Sequence, residues 1–219
     1  MFFLVVVTKI QPFFDNAIYF PLENFSVIIF YLYICHMVSK KELRKHISVL
    51  KAQFSEEKRL SESNNIIDQI LLLPQFQQAK VVMGYHPLPD EVDILPLFQK
   101  FLGKKTLLLP VLVGDDIELR EYKGEEFLKA GKFSILEPTS LSFYNDYDSI
   151  DLVIVPGVAF SKDGNRLGRG RGYYDRFLPK LNRAYKLGVG FSFQIVDYVP
   201  TDIYDQPLDC VLTSVSDKQ

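Results

Sequence analysis

Cysteine is scarce in this chain, with only Cys35 and Cys210 present. Two such distant residues make neither a disulfide framework nor a CxxC metal motif. Histidine is almost as scarce, and the scattered His36, His46 and His86 do not read as a metal cluster. Long apolar runs are missing too. The runs at 1–7 and 25–35 fall short of the roughly 18 residues that a membrane-spanning helix needs. No basic stretch precedes residues 1–7 and no small-residue cleavage site follows them, so a secretory signal fits poorly. An excess of positive charge is also absent. Twenty-five Lys and Arg against 27 Asp and Glu leave a net charge of −2, which argues against a dedicated nucleic-acid binder.

What is present is an ordinary globular composition, 47% hydrophobic and 24% charged over 219 residues, enough for one domain with an extension. The composition changes abruptly at Met37. Residues 1–36 are aromatic-rich and interrupted by Pro12 and Pro21, whereas Val38-Ser39-Lys40-Lys41-Glu42-Leu43-Arg44 is a clean helix start. We expect residues 1–36 to be an extension outside the functional fold, from an upstream start assignment, and residues 37–219 to form one domain without repeats or linkers. A membrane-surface anchor is the rival reading of the extension.

The chain is organised around residues 156–176, PGVAFSKDGNRLGRGRGYYDR. A buried strand at 151–155 leads in, and Pro156 and Gly157 stop it. Gly164, Gly168, Gly170 and Gly172 then alternate with Arg166, Arg169 and Arg171 before a helix start at Tyr173. Glycine brings backbone N–H groups close to a ligand, a helix N-terminus adds orphan donors, and arginine forks suit phosphate oxygens. Asp175 beside such a cradle would repel an anion unless a divalent cation lies between them, which points to Mg²⁺. The stretch matches neither the Walker pattern nor GxGxxG. It therefore reads as a phosphate site without a P-loop or a nicotinamide cofactor, or, more blandly, as a solvated basic turn.

The remainder alternates helices and strands. Ser39 and Glu42 make a capping box, and Leu43, Ile47, Leu50 and Phe54 form one stripe. A second helix starts near Ser55, presents Leu60, Ile67, Ile70 and Leu71, and ends at Pro74. A strand at 80–85 leads to a turn at 86–91, and Asp93 caps a helix to about Leu102. A strand at 105–113 is interrupted by Pro110, and 117–122 alternates like an edge strand. Residues 123–149 carry a weak signal. Further strands fall at 185–191 and 208–212. This pattern predicts a three-layer α/β/α fold with an open, largely parallel sheet. Tyr85 and Glu91 would then sit where such sheets bind ligands.

The run NRLGRGRGYYD, residues 165–175, resembles the signature of the 5-formyltetrahydrofolate cyclo-ligase family, also called 5,10-methenyltetrahydrofolate synthetase. The likeness covers the chain from Met37 in outline, and only the loop is strongly specific. It implies a Rossmann-like cyclo-ligase fold and an ATP- and Mg²⁺-dependent ligase that cyclises 5-formyltetrahydrofolate to the 5,10-methenyl form, releasing ADP and phosphate. It implies ATP contacts from Lys40, Arg44, Arg166, Leu167, Gly168, Arg169, Gly170, Arg171, Gly172, Tyr173 and Tyr174, with the three loop arginines catalytic. Folate contacts would come from Tyr85, His86 and Glu91 and from the loop residues 169–173, with Glu91 on the pterin. Asp175 and Asp205 would hold the metal, Asp209 being the next choice. Many relatives place Lys where this chain has Arg171. A cytoplasmic monomer acting on small molecules, with no nucleic acid and no membrane, is expected. Two other readings stay open on the residues alone: a non-catalytic polyanion binder, and a sugar-phosphate isomerase or acyl-CoA transferase on the same sheet type.

Overall fold

The computed structural model describes residues 39–132, 135–140 and 142–214. The expectations for residues 1–36 and for a start at Met37, with Cys35 and His36, lie outside them. One compact unit, Ser39–Gln219, contains every element below.

The helices are α1 (Lys40–Ala52), α2 (Glu56–Leu72), α3 (Pro74–Gln78), α4 (Leu95–Phe101) and α5 (Tyr173–Phe177). The strands are β1 (Val81–Met83), β2 (Thr106–Val113), β3 (Asp116–Glu121), β4 (Leu128–Ala130), β5 (Leu136–Pro138), β6 (Leu152–Val155), β7 (Ala159–Ser161), β8 (Arg166–Leu167), β9 (Tyr185–Val189), β10 (Ile195–Val196) and β11 (Cys210–Leu212). The main sheet has the order β11-β9-β6-β1-β2-β3. Its pairings are parallel except for β2 with β3 at the edge.

Local chemistry sets these elements. The capping box forms as expected, with Glu42 N–H donating to Ser39 Oγ and Ser39 N–H to Glu42 Oε2 at 2.8 Å. The α2 stripe differs from expectation. Leu60 is 61% exposed, and Ile66 takes its place beside Ile67 and Ile70, because the face that meets the sheet is shifted around the helix. Asp93 does accept a hydrogen bond from Leu95 N–H at 3.0 Å, but it stands two residues ahead of α4. Pro110 does not interrupt β2. Even-numbered residues of β2 turn their backbone toward β1, as Gly84 N–H bonding Leu108 O shows. The β1 pairing ends at Leu108, so the N–H that proline lacks at 110 has no partner to lose.

Both faces of the sheet are buried, as parallel sheets require. Val82, Leu152, Ile154 and Leu187 face α2, α3 and α4 through Ile66, Ile70, Phe76 and Phe98. Met83, Val153 and Val155 face the other way, onto Phe160, Phe177 and Leu178. That second cover is thin, because α5 has only five residues. The β7–β8 hairpin fills the gap with Phe160. The ring lies so close to β9 that a Cβ at Gly188 or Gly190 would be 3.0 or 2.9 Å from it.

This winding places the site. From β1 the chain steps one way to β2 and β3, then returns to set β6, β9 and β11 on the other side. The reversal lies between β1 and β6, which run parallel with Val82 opposite Leu152. Ligands of open α/β sheets bind beyond the carboxyl ends of the strands at such a point. The two loops leaving there are 84–91 and 156–172.

Candidate active site

After β6, the chain forms the β7–β8 hairpin and then the loop 168–172. Gly170 (φ 96°) and Gly172 (φ 69°) occupy left-handed backbone there, which a side chain would strain. The Arg44 guanidinium crowds the same loop. Its Cζ would be 3.5 Å from a Cβ at Gly170, and its Nε donates to Gly168 O at 2.9 Å. Because α5 is so short, its dipole contributes little, and charge at the loop comes from side chains instead.

Arg166 is the fixed centre. Its side chain is 4% exposed, and Nη2 donates to Asp175 Oδ1 at 2.6 Å. Nη1 donates to Pro156 O at 3.3 Å, and the guanidinium lies 5.3 Å from the Tyr174 ring centre. Its buried Nε has no partner among the described residues. Tyr174 lines a cavity and is half-buried, and desolvation, with Glu91 nearby, pushes its hydroxyl pKa up.

Arg169 goes elsewhere. Nη2 contacts Asp90 at 2.8 Å and Glu91 at 2.9 Å, and Nε contacts Glu91 at 3.1 Å. Lys51 pairs with Asp90 from α1. Glu91 also accepts from Leu88 N–H at 3.1 Å. Arg169, which the loop pattern assigns to phosphate, is thus set against Glu91 at the end of the β1 loop.

Two cavities flank Arg166. The first, about 410 Å³, is mainly apolar and lies among Tyr85, His86, Leu112, Ile117, Glu137 and Tyr173. Its size suits a drug-sized organic ligand. Tyr85 is buried there and donates to Val92 O at 2.7 Å, and its burial pushes the phenol pKa up. Burial also lowers the pKa of His86, favouring the neutral imidazole. Glu137 was not foreseen. It is 8% exposed, accepts from Leu112 N–H at 3.1 Å, and lies so near Gly131 that a Cβ there would be 2.3 Å from its Cδ. Its position in the weak 123–149 stretch gave no signal of this.

The second cavity, about 680 Å³, is more polar than the first and has charged side chains on its wall. Arg44, Gly168, Gly170 and Gly172 form one wall and residues 202–206 the other. Lys40 Nζ contacts Asp202 at 2.8 Å and Asp205 at 2.5 Å. Lys40 and Arg44, one turn apart on α1, therefore tie the two walls together. Arg176, unforeseen from sequence, braces the loop by donating to Arg171 O and Asp115 O. Arg166, Gly168, Gly172 and Asp175 line both cavities.

Among the described residues no group of three or more Asp, Glu, His or Cys is gathered for a metal. Asp175 and Asp205 nevertheless line one cavity. Two carboxylates with phosphate oxygens and water fit the way Mg²⁺ is usually held. Asp209 does not compete, because its carboxylate accepts from Lys186 N–H at 2.7 Å and lies outside that cavity's wall.

A switch-point crevice with an apolar and a polar cavity sharing one charged wall defines an α/β enzyme of small molecules. The family model for the 5-formyltetrahydrofolate cyclo-ligase family matches residues 36–214. The 5,10-methenyltetrahydrofolate synthetase of Aquifex aeolicus superposes with a TM-score of 0.71 and 40% identity, over 78% of this chain and 88% of that one. The synthetase of Mycoplasma pneumoniae gives 0.66 and 26%, over 81% and 100%. The 5-formyltetrahydrofolate cyclo-ligase of Mus musculus is 28% identical over 188 residues, 80% of this chain and 93% of its own. The chain belongs to the 5-formyltetrahydrofolate cyclo-ligase family, and it is a ligase of folate metabolism.

Proposed function

We propose that the protein uses ATP and Mg²⁺ to convert 5-formyltetrahydrofolate into 5,10-methenyltetrahydrofolate, releasing ADP and phosphate. The observation that carries this reading is the shared wall. Arg166, Gly168, Gly172 and Asp175 line both cavities, so a folate in the apolar one and a triphosphate in the polar one would meet across them. The formamide oxygen attacks the γ-phosphorus as the bond to ADP breaks. N10 then attacks the activated formyl carbon and gives up its proton to solvent, the new C–N bond closes the ring, and the C–O bond breaks to release phosphate.

The protein's task is alignment and charge neutralisation, because phosphoryl transfer needs little covalent help. Arg166 would hold the transferring group from its buried position, and Arg44, Arg171 and the backbone N–H groups of the glycine loop would cradle the phosphates. Tyr85, His86, Tyr173 and Tyr174 would line the folate site, with Glu91 facing the pterin and Arg169 holding Glu91. A Mg²⁺ ion held by Asp175 and Asp205 would neutralise phosphate charge.

The test is a spectrophotometric assay with 5-formyltetrahydrofolate, Mg²⁺ and ATP, following near-ultraviolet absorbance of the methenyl product. The expected result is a rise that disappears when ATP is omitted. No rise from folded protein, or a rise independent of ATP, contradicts the reading.

A further inference from the structure

The peptides just past β6 are the surface on which Arg166 rests. Arg166 Nη1 donates to Pro156 O at 3.3 Å, and the Arg166 stem packs on Gly157, where a Cβ would be 3.1 Å from its Cγ. The same Cβ would be 2.6 Å from Phe160 Cζ, so Gly157 is confined between the arginine and that ring. The carbonyls of this loop are held by a residue from the other side of β6. Gln194, in the turn Ser192–Gln194 that follows β9, donates from Nε2 to Gly157 O at 2.8 Å and to Val158 O at 3.0 Å. Its Oε1 accepts from Phe191 N–H at 2.8 Å, and the residue is only 5% exposed.

A buried carboxamide with both N–H bonds and its oxygen in use is a specific device. Only Gln and Asn offer two donors and an acceptor without charge. The sheet has no need of it, because β6 and β9 already pair from Leu152 opposite Tyr185 to Val155 opposite Gly188, and Phe160 already packs against β9. The clamp acts beyond the strand ends, on the peptides that meet Arg166. Asp175 holds one end of the guanidinium tightly, at 2.6 Å. The contact to Pro156 O is long, so the setting of the guanidinium plane depends on where the 156–158 peptides stand.

We propose that Gln194 is a positioning residue for phosphoryl transfer: its carboxamide fixes the 156–158 backbone, and that backbone sets the Arg166 guanidinium at the wall shared by the two cavities. The proposal rests on the function read above for its kinetic consequence and deepens it. Gln194 lines neither of those two cavities, so its loss acts on rate and not on substrate affinity. A shift of about 1 Å in a group that stabilises the transition state is enough to slow the reaction.

The experiment uses Gln194→Met, which keeps length and volume and removes the three hydrogen bonds, and Gln194→Asn, which keeps the carboxamide but is too short to reach both carbonyls. Each is made alone and with Arg166→Ala. Single-turnover rates, the KM values for ATP and 5-formyltetrahydrofolate, and the nitrogen–proton NMR signal of the Arg166 side-chain Nε–H are measured. That signal is assigned by its loss in Arg166→Ala, and the group is buried with no partner among the described residues, so it reports its surroundings. Gln194→Met lowers the rate about tenfold with both KM values within about twofold of wild type, and the Nε–H signal moves. Gln194→Asn falls between Gln194→Met and wild type. With Arg166 already replaced, neither substitution costs more than about a further twofold. A wild-type rate in both variants, a raised KM at unchanged rate, or the same tenfold loss in the Arg166→Ala background overturns the proposal. Gln194→Asn answers the same question if Gln194→Met does not fold. Wild-type protein that makes no product removes the functional reading, and the Nε–H signal then judges the clamp: a shift in the Gln194 variants supports it and an unmoved signal overturns it.

Discussion

The polar cavity is bounded by two ion-pair systems that look alike on paper and differ in depth. Arg166–Asp175 has an arginine 4% exposed and a carboxylate 23% exposed. In Lys40–Asp202–Asp205 the lysine is 26% exposed, Asp202 55% and Asp205 15%, so the two systems differ chiefly in the depth of the cation. Desolvation makes the first pair costly to break on one side, whereas solvent screens the Lys40–Asp202 arm of the second. The planar arginine fork suits the fixed position between two cavities, and the flexible lysine suits a turn that must stay in place without being locked. On the proposed function the first system would serve the transfer step, and the second joins α1 to the turn at 202–205.

Replacing Arg166 gives the largest effect. Arg166→Ala leaves Asp175 without its buried partner, so stability falls by about 3–5 kcal/mol. Activity falls about a thousandfold with loss of charge at the transferring group. Chemical denaturation and steady-state kinetics measure the two, and Arg166→Lys, lacking the fork, does not rescue the rate. A mild phenotype would erase the contrast with Lys40.

Asp175→Asn comes next. It keeps an acceptor for Arg166, so stability falls by only about 1–3 kcal/mol, while most activity is lost and the Mg²⁺ concentration for half-maximal rate rises. A Mg²⁺ titration showing the wild-type requirement would remove Asp175 from the metal site.

Lys40→Met should separate the systems most cleanly. Stability falls by about 1 kcal/mol, because solvent screens the arm to Asp202 while Asp205 loses a partly buried partner, and on the proposed reading the KM for ATP rises several-fold. This contact should also be insensitive to pH from roughly 5 to 9. Burial works against the charge of Lys40, but hydrogen bonds and charge from Asp202 and Asp205 outweigh it and raise its pKa above 10.5. Its contribution is therefore complete below 10.5 and lost only as pH rises through the higher folded value. The hydrogen bond from Lys40 lowers Asp202 below 3.8, so its contribution is present above that value and lost as pH falls through the folded one. The ratio of ATP KM values for Lys40→Met and wild type, followed across pH, checks the window.

Arg171→Lys is the smallest change. The exposed position keeps its cation, and turnover should shift less than about tenfold.

Local signals carried much of this molecule. The Ser39–Glu42 box, the buried run at 152–155 and the alternating Gly–Arg loop each encode their geometry in adjacent residues, and the α/β class follows from their order. What was hidden depended on partners distant in sequence. Leu60 and Ile66 are equally apolar, and only the sheet decides which is covered. Pro110 reads as a break until β1 is seen to end beside it. Arg169 looks like a phosphate arginine, yet Glu91, 78 residues earlier, accepts its hydrogen bonds. Spacing ranks Asp205 ahead of Asp209 without saying what Asp209 does instead, and the Lys186 backbone, distant in sequence, occupies Asp209. Burial of Glu137 against Gly131 has no local signature at all.

The central claim is that the γ-phosphoryl group crosses the wall of Arg166 and Asp175 onto the formyl oxygen of the folate. The most direct measurement uses 5-formyltetrahydrofolate carrying a heavy-oxygen label in the formyl group and follows that oxygen by mass spectrometry of the released phosphate. The account predicts labelled inorganic phosphate, formed in step with the methenyl product. Unlabelled phosphate, with the heavy oxygen appearing in water, would contradict it.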